Sequence, residues 1–312
     1  MADGSGIRVA AIDCGTNSIR LLISQVGSDG ATDVVREMRI VRLGQGVDET
    51  GRLAPEAIER TLGAVREYAA LIDAFDVERV VFGATSAVRD AGNAAEFADS
   101  VEQILGVHPR VLSGAEEAAA SFLGATRELN AGRTLVADIG GGSTELVVGA
   151  GGVVEWSVSL DIGSVRLTER FLHGDPPSVA EIGDCTEFLD DVLAPAVAGL
   201  EPIETFVGVA GTVTTVAADV LGLPSYDSEA IHASRLDLEA VRASCLSLLS
   251  SSVAQRRTLG FMHPGRADVI GAGALVLDRL IVGLPLAGDR LVVSERDILD
   301  GLVWQVASGE LV

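Results

Sequence analysis

One short sequence pattern occurs twice in this chain, and it constrains the possible folds more than any other feature. Residues 13–18 read Asp-Cys-Gly-Thr-Asn-Ser, and residues 138–143 read Asp-Ile-Gly-Gly-Gly-Ser. A short apolar run precedes and follows each copy, which is typical of a buried hairpin. One copy alone has a sufficient explanation as a tight turn. Two copies, one in each half of the chain, predict a single site built from two halves.

The turn between the two strands of such a hairpin leaves backbone N–H groups available to a ligand, and a nest of amides binds anions, phosphate above all. The sequence therefore predicts phosphate binding by the amides of two groups of turn residues, namely Gly15, Thr16, Asn17 and Ser18, and Gly140, Gly141, Gly142 and Ser143. The aspartate at the head of each turn, Asp13 or Asp138, would repel phosphate unless a cation stood between them. The pattern thus indicates Mg²⁺ or a similar hard ion with oxygen ligands.

The two copies differ in charge two residues after the serine. Arg20 follows the first turn, whereas Glu145 follows the second at the same offset. We expect Arg20 to offer a cation to phosphate and Glu145 to add a metal ligand beside Asp138 and Asp13.

Composition sets the domain number and excludes several classes of protein. The 312 residues suffice for about two domains, and 48% are hydrophobic but only 4% aromatic, which favours alternating helices and strands. The net charge of −22, from 45 acidic against 23 basic residues, argues against nucleic-acid binding through a basic face. If the ligand is an anion, positive charge must be concentrated locally.

Cysteines, histidines and hydropathy indicate the compartment. Cys14, Cys185 and Cys245 are an odd number without metal-binding spacing, which predicts a reducing, cytoplasmic location. The four histidines lie far apart, so a zinc site is not expected. No apolar stretch of about 20 residues and no signal pattern are present, so we expect no membrane association.

Apolar periodicity and turn residues predict the remaining elements. Strands are expected at Thr32–Leu43, Arg79–Ala84, Arg110–Leu112, Gly152–Leu160, Thr205–Ala210 and Arg290–Val293, and helices at Pro55–Ile72, Asn93–Leu105, Pro176–Leu200, Val269–Leu280 and Asp297–Ala307.

Two charged residues in the first half are candidates for a site. Arg89 follows a predicted strand at its carboxyl end, where open α/β sheets place ligand contacts; the alternative is an ion pair with Asp90. Ser113 and Glu116 have the spacing of a capping box, which explains Glu116. Glu117 is not explained in this way and can project toward a ligand or simply compensate the helix dipole.

Two segments of the second half are weaker candidates. Gly211 and Thr212 form a small-residue entrance to a helix, which can seat a phosphate or serve only for packing. Arg266 opens a predicted helix in which Gly271 and Gly273 mark the close approach of another element.

Taken together, these segments resemble the exopolyphosphatase/guanosine pentaphosphate phosphatase family, a branch of the actin, sugar-kinase and acetate-kinase superfamily. The resemblance extends over nearly the whole chain and is carried by residues 13–21, 42–46, 84–91, 113–118, 138–145, 163–168, 210–212 and 266–270. It implies an α/β protein with two ribonuclease-H-like domains, 1–128 and 129–296, and a cleft between them. The final helix, 297–312, is expected to pack back on the first domain.

The resemblance also implies roles for individual residues. Glu117 matches the family's catalytic carboxylate, Asp138 and Glu145 match residues that help hold Mg²⁺, and the glycine turns and Arg89 match phosphate-binding positions. Mn²⁺ is the alternative metal. Further substrate contacts are expected from Arg166, Gly211, Thr212 and Arg266.

Two departures from the family bear on the substrate. Many relatives have a further C-terminal helical domain, whereas this chain ends at Val312. Relatives commonly have Leu-Arg-Glu-Gly near the last helix, where this chain has Ile-Leu-Asp-Gly at 298–301. One basic contact is therefore absent, and we expect a preference for shorter polyphosphate chains.

The expected activity is hydrolysis of the terminal phosphoanhydride of linear polyphosphate, with release of orthophosphate. The alternative substrate is guanosine pentaphosphate, which requires the same chemistry. More distant alternatives are an ATP-dependent kinase and a non-catalytic sensor of polyphosphate or an alarmone. Relatives often dimerise, so a homodimer is a further expectation, although no self-complementary face is evident in the sequence.

Overall fold

The computed structural model describes residues 6–129 and 132–311. The chain divides into two compact units. The first runs to Gly124 and includes the chain again from Ile298, whereas the second runs from Ala125 to Asp297. The first domain was expected to end at residue 128, and the unit observed ends four residues earlier, at Gly124. The chain was expected to rejoin the first domain at residue 297, and it does so one residue later, at Ile298.

The first unit contains a five-stranded mixed sheet. Its strands are β1 (Ile7–Cys14), β2 (Ser18–Gly27), β3 (Gly30–Ile40), β4 (Arg79–Ala84) and β5 (Arg110–Val111). The spatial order is β3-β2-β1-β4-β5, with β1, β2 and β3 antiparallel and β4 and β5 parallel to β1. Its helices are α1 (Val47–Thr50), α2 (Pro55–Ala74), α3 (Ser86–Arg89), α4 (Ala94–Leu105) and α5 (Gly114–Thr126), joined by α13 (Ile298–Ser308) from the end of the chain.

The central strand β1 is buried on both faces of this sheet, because successive side chains of a strand point to opposite faces and each face is covered. Ala10 and Ile12 of β1 pack in one core cluster, which also contains Leu62 and Phe97 from α2 and α4. The neighbouring strand residues Val9 and Ala11 pack in another cluster, where α13 supplies Ile298, Leu299, Leu302, Val303 and Val306. Leu299, in the segment where the resemblance led us to expect an arginine, is therefore a core residue.

The second unit repeats this arrangement and extends it by one strand. Its strands are β6 (Thr134–Ile139), β7 (Thr144–Ala150), β8 (Val153–Leu160), β9 (Thr205–Val209), β10 (Arg235–Asp237) and β11 (Arg290–Val293), in the order β10-β11-β9-β6-β7-β8. Its helices are α6 (Ser164–Phe171), α7 (Val179–Val197), α8 (Ala210–Val220), α9 (Ser228–Ile231), α10 (Leu238–Ser250), α11 (Val253–Arg256) and α12 (Ile270–Gly283). An antiparallel group, β6-β7-β8, again adjoins parallel strands, β9 and β11. The expected α/β class with two ribonuclease-H-like units is confirmed.

Some predicted boundaries were wrong for identifiable reasons. Strand β3 ends at Ile40 rather than Leu43, because the amides of Val41 and Arg42 both donate to the carbonyl of Asn17 instead of continuing the ladder. Asn93 precedes α4 as expected but does not cap it. Its side-chain amide instead bonds both backbone groups of Leu53, at 2.8 and 3.1 Å.

Within residues 6–129 and 132–311, no helix combines the length and the apolar character needed to cross a membrane.

Candidate functional site

In each unit the parallel strands end at one edge of the sheet, and the segments that follow them meet there. In the first unit the carbonyl of Cys14, at the end of β1, accepts from the amide of Thr85, which follows β4 (3.1 Å). The carbonyl of Ala84 in turn accepts from Leu112, after β5 (2.8 Å). These bonds bring the turn after β1, helix α3 and the start of α5 to one edge.

The repeated sequence pattern forms the same turn in both units. The amide of Gly15 donates to the carbonyl of Ser18 at 2.9 Å, and the amide of Gly140 donates to the carbonyl of Ser143 at 3.0 Å. The hairpin registers also agree, since Asp13 pairs with Arg20 across β1 and β2, and Asp138 pairs with Glu145 across β6 and β7. The two patterns are therefore equivalent in structure as well as in sequence.

Hydrogen bonding in the turns leaves amides rather than carbonyls available. In the first turn the carbonyl of Thr16 accepts from Gly44 (2.9 Å), and that of Asn17 accepts from Val41 and Arg42. Among the described residues, nothing accepts from the amides of Thr16 and Asn17. Unpaired N–H groups concentrated in a turn are suited to an anion.

The second turn is held in the same way by the start of α6. The carbonyls of Gly140 and Gly141 accept from the amides of Ser164 (3.0 Å) and Val165 (2.9 Å). Within the described parts of the chain the amides of Gly141 and Gly142 likewise donate to no acceptor. Both turns thus present donors to a ligand.

Arg166, which is expected to contact substrate, supports this second turn through part of its side chain. Its Nε donates to the carbonyl of Gly142 at 2.8 Å, and its backbone amide donates to the carbonyl of Gly141. Arg166 therefore fixes the conformation of the turn whatever else its guanidinium contacts.

Arg20 and Asp13 form an ion pair at the first turn. Nε and Nη2 of Arg20 donate to Oδ2 of Asp13 at 3.0 and 2.7 Å, and the Asp13 side chain is largely buried. Asp13 therefore orients Arg20 at the edge where the amides are exposed. Its predicted role as a metal ligand stays a prediction.

Arg89 and Glu117, predicted separately, are in direct contact. Nη1 of Arg89 donates to Oε2 of Glu117 at 2.5 Å and to the carbonyl of Leu112 at 2.9 Å. Glu117 is buried, with 6% of its surface exposed. The structure thus joins a predicted phosphate ligand to the predicted general base.

The neighbouring Glu116 has a structural role, as the capping-box spacing predicted. Its carboxylate accepts from the amide and hydroxyl of Ser113 at 2.9 and 2.8 Å, and the Ser113 hydroxyl accepts from the Glu116 amide. Arg110 also donates to this carboxylate. The hydrogen bonds from Arg110 and Ser113 lower the pKa of Glu116 to about 2. Adjacent glutamates therefore have different environments.

Asp138 and Glu145 lie opposite each other across β6 and β7, so their side chains share one face of the sheet. Both residues are buried, at 8% and 3% exposure. Like charges at facing positions destabilise a sheet, and a hard cation bound by carboxylate oxygens would offset that cost. The donor set at this position fits a divalent cation such as Mg²⁺.

Ser159 of β8 is a part of this group that the sequence interpretation did not identify. It pairs with Glu145 in the β7–β8 register, and its hydroxyl donates to Oε1 of Glu145 at 2.7 Å. The register between β7 and β8 is the signal that could have revealed it.

Asn17 provides a second indication of a ligand with donors or positive charge. Its side-chain Oδ1 is buried and accepts no hydrogen bond from the residues that the structure describes. Leaving a buried acceptor unsatisfied costs about 1–3 kcal/mol. A bound cation or its water would remove this cost.

The weaker candidates Gly211, Thr212 and Arg266 gather at the end of β9. The Arg266 guanidinium covers Gly211 so closely that a Cβ there would clash with it, and Nη1 donates to the Thr215 hydroxyl at 2.9 Å. Ala210, at the start of α8, has a positive φ of 66°, which is strained for a residue with a Cβ. Backbone strain of this kind often accompanies ligand sites.

Close packing also surrounds Thr212. A Cβ on Gly273 would lie 2.5 Å from the Thr212 Oγ1 and 3.2 Å from the Ser164 Cβ. The expectation that another element approaches Gly273 is confirmed, as it is for Gly271, where Arg256 occupies the space. The start of α8 is thus held against α6 and α12.

The chain is similar in sequence to proteins that act on phosphoanhydrides. A sequence model of the Ppx/GppA phosphatase family matches residues 22–306. Exopolyphosphatase 2 of Mycobacterium tuberculosis is 49% identical over 96% of this chain and 98% of its own length. The guanosine-5'-triphosphate,3'-diphosphate pyrophosphatase of Vibrio vulnificus is 31% identical over 98% of this chain and 60% of its own length.

A solved structure supports the same conclusion. The crystal structure of an exopolyphosphatase from Cytophaga hutchinsonii superposes with a TM-score of 0.90 at 26% identity, covering 97% of this chain and 98% of that one. The resemblance carried by the motifs is confirmed, and the chain belongs to the Ppx/GppA phosphatase family.

Proposed function

We propose that this protein hydrolyses the terminal phosphoanhydride bond of linear polyphosphate and releases orthophosphate. The observation that carries the proposal is the pair of equivalent turns, each with two amides that have no acceptor among the described residues and an aspartate at its head. The 49% identity to a protein named exopolyphosphatase 2, over nearly its full length, supports the same activity.

Phosphoryl transfer asks a protein mainly for alignment and charge stabilisation. The amides of residues 15–18 and 140–143 would bind phosphate oxygens, with Arg20 and Arg89 adding charge. Arg166 would keep the second turn in its binding conformation through its bond to Gly142. Gly211, Thr212 and Arg266 would contact more distant parts of the substrate.

A divalent cation, Mg²⁺ with Mn²⁺ as the alternative, would be held by Asp138 and Glu145 and would neutralise charge on the phosphates. Ser159 would orient Glu145 for this role through its 2.7 Å hydrogen bond. Asp13 is a further proposed ligand, although its pairing with Arg20 makes it the weaker one.

Glu117 would act as the general base. Its ionised carboxylate accepts a proton from the attacking water, the water oxygen bonds to the terminal phosphorus, and the bond from that phosphorus to the bridging oxygen breaks. The shortened polyphosphate leaves with the bridging oxygen. Arg89 would orient Glu117 through the hydrogen bond from its Nη1 and would add positive charge near the phosphate.

A second candidate substrate is guanosine pentaphosphate. The similarity to the Vibrio vulnificus pyrophosphatase, whose name specifies a guanosine substrate, favours it, and the same residues would perform the reaction. In both cases a terminal phosphate is removed from a phosphoanhydride.

A phosphate-release assay tests the proposal and its alternatives. Short polyphosphate, long polyphosphate, guanosine pentaphosphate and ATP are supplied to the parent protein, to Glu117→Gln and to Glu116→Gln. The expected result is Mg²⁺-dependent release from short polyphosphate by the parent and by Glu116→Gln but not by Glu117→Gln. Preference for guanosine pentaphosphate would select the second substrate. ATP consumption without phosphate release, or tight binding without turnover, would overturn hydrolysis in favour of a kinase or a sensor.

A further inference from the structure

The first unit contains a pocket that none of the candidate catalytic or phosphate-binding residues lines. Its volume is about 810 Å³, and it is bounded by α1, the segment 51–54 and the first turns of α2 and α4. This volume lies in the range of small-molecule sites, which is about 300–1,000 Å³. The pocket is therefore large enough for a ligand of nucleotide size.

Hydrogen bonds within the protein hold the wall of this pocket in place without a ligand. The side chain of Asn93, itself 6% exposed, bonds both the amide and the carbonyl of Leu53. The amide of Gly92 donates to the carbonyl of Gly51 at 2.8 Å. The loop before α2 is thus fastened to the start of α4, and a ligand would find a preorganised surface.

Charge and apolar surface are combined in the lining. Leu53, Ala54, Pro55, Ala57 and Ile58 supply apolar surface. Arg52 and Arg60 add two exposed guanidinium groups that form no ion pair within the described parts of the chain, although acidic residues outnumber basic ones by 45 to 23. Helix α2 begins beside them without a side-chain cap, so the positive end of its dipole lies at the same wall.

Two glutamates complete the lining and narrow the class of ligand. Glu56 and Glu96 both line the pocket and form no ion pair among the described residues. Carboxylates accept hydrogen bonds from hydroxyl and amino groups, whereas the guanidinium groups of arginine donate to phosphate oxygens. A ligand that satisfies all three surfaces has a phosphate, an apolar flat body and several hydroxyl or amino donors. We propose that this pocket binds a nucleoside monophosphate.

The pocket is connected to the first phosphate-binding turn through the loop between β3 and α1. Gln45 and Gly46 of this loop line the pocket, while the adjacent Gly44 donates to the carbonyl of Thr16. Gly44 is packed so tightly that a Cβ would clash with the Thr16 side chain. Nε of Arg60 donates to the carbonyl of Val41, whose amide bonds Asn17. The pocket and the first turn therefore share one loop, and we expect a ligand in the pocket to slow exchange in that loop.

Isothermal titration calorimetry of the full chain with AMP and with GMP tests the site directly, without reference to catalysis. Titrations are run in EDTA without divalent metal and with excess tripolyphosphate present, so that phosphate-binding turns elsewhere are occupied but the tripolyphosphate is not hydrolysed. We expect Arg52→Gln and the double variant Arg52→Gln/Arg60→Gln to weaken nucleotide binding by about tenfold or more. Arg66→Gln is the matched control, because Arg66 is an exposed residue of the same helix that pairs with Glu59 and does not line the pocket.

A second variant and a second measurement keep the result interpretable. Ala54→Trp fills the pocket from its rim and should abolish binding, with a thermal melt confirming that the chain is folded. Hydrogen–deuterium exchange with AMP should show slower exchange in residues 41–60 and 92–96. Absence of binding by both nucleotides, equal binding by the arginine variants, or protection confined to other segments would each overturn the proposal. None of these experiments measures phosphate release. A negative result for nucleotide binding is therefore distinguishable from a failure of the proposed hydrolysis.

Discussion

Arg20 in the first hairpin stands at the position that Glu145 occupies in the second. Each lies directly across the ladder from an aspartate, so Asp13 has a basic partner and Asp138 an acidic one. The equivalence of the two hairpins makes the difference in charge informative. In the proposed mechanism, Arg20 beside the first turn would supply a fixed positive charge, and Asp138 and Glu145 beside the second would hold an exchangeable cation.

This difference predicts which substitution alters the metal requirement. Glu145→Gln should raise the Mg²⁺ concentration needed for half-maximal phosphate release by about tenfold or more, because it removes a charged ligand. Arg20→Gln should raise KM for polyphosphate and leave the metal requirement unchanged. Metal titrations of both variants provide the measurement, with Mn²⁺ binding followed independently by electron paramagnetic resonance. Equal Mg²⁺ dependence in parent and Glu145→Gln would remove Glu145 from the metal site.

Glu116 and Glu117 offer a matched pair for the catalytic role. Glu117→Gln should lower kcat by about 10²–10⁴-fold, the usual contribution of a general base, while KM changes little. Glu116→Gln should retain kcat, because that carboxylate is bonded to Ser113 and Arg110. Steady-state kinetics on both proteins, with circular dichroism to check folding, decides the matter. Comparable losses in the two variants would point to a general effect on α5 rather than to catalysis.

The capping box makes a pH-dependent contribution to stability. The pKa of Glu116 is lowered from 4.5 to about 2, so its folded form binds fewer protons than the unfolded chain between these values. The ionised Glu116 carboxylate therefore adds to the free energy of unfolding above pH 4.5, and this contribution is lost as the pH falls toward 2. Because the side chain is substantially exposed, Glu116→Gln should lower the melting temperature at pH 7 by only about 2 °C. The difference from the parent should disappear near pH 2, and a constant difference would contradict this assignment.

Two glycines in helices predict opposite effects of one methyl group. A Cβ on Gly301 of α13 would overlap the backbone carbonyl of Ala120, whereas nothing lies within 4 Å of a Cβ on Gly63 of α2. Gly301→Ala should therefore destabilise the protein by about 1–3 kcal/mol. Gly63→Ala should stabilise it by about 0.5–1 kcal/mol through helix propensity. Urea unfolding monitored by fluorescence measures both changes in the free energy of unfolding. Stabilisation by Gly301→Ala would contradict the close contact between α13 and the backbone of Ala120.

The hairpins and their turns could be predicted because their signals are local. The apolar runs beside residues 13–18 and 138–143 fix the strands, and the glycine turns fix the connection. The capping box of Ser113 and Glu116 was confirmed for the same reason. The contact of Arg89 with Glu117 spans 28 residues and depends on the meeting of α3 and α5, so no local pattern reveals it.

Other features depended on tertiary contacts that compete with local preference. Asn93 has the spacing of a helix cap, but the backbone of Leu53 takes its side chain. Helix α10 went unpredicted in a stretch rich in serine, and its end is fixed by the buried Arg256, which donates to the carbonyls of Leu248, Leu249 and Ala267. An arginine with three backbone acceptors cannot be told from a surface arginine by sequence alone.

Helix α13 completes the first unit with residues that follow the second unit in the sequence. The face of the first sheet that carries Val9 and Ala11 is covered by side chains from residues 298–306. During translation this cover is not available until Ile298 and the residues after it have been made, since the 173 residues from Ala125 to Asp297 come in between. The first unit therefore cannot complete this core until the chain of the second unit has been synthesised.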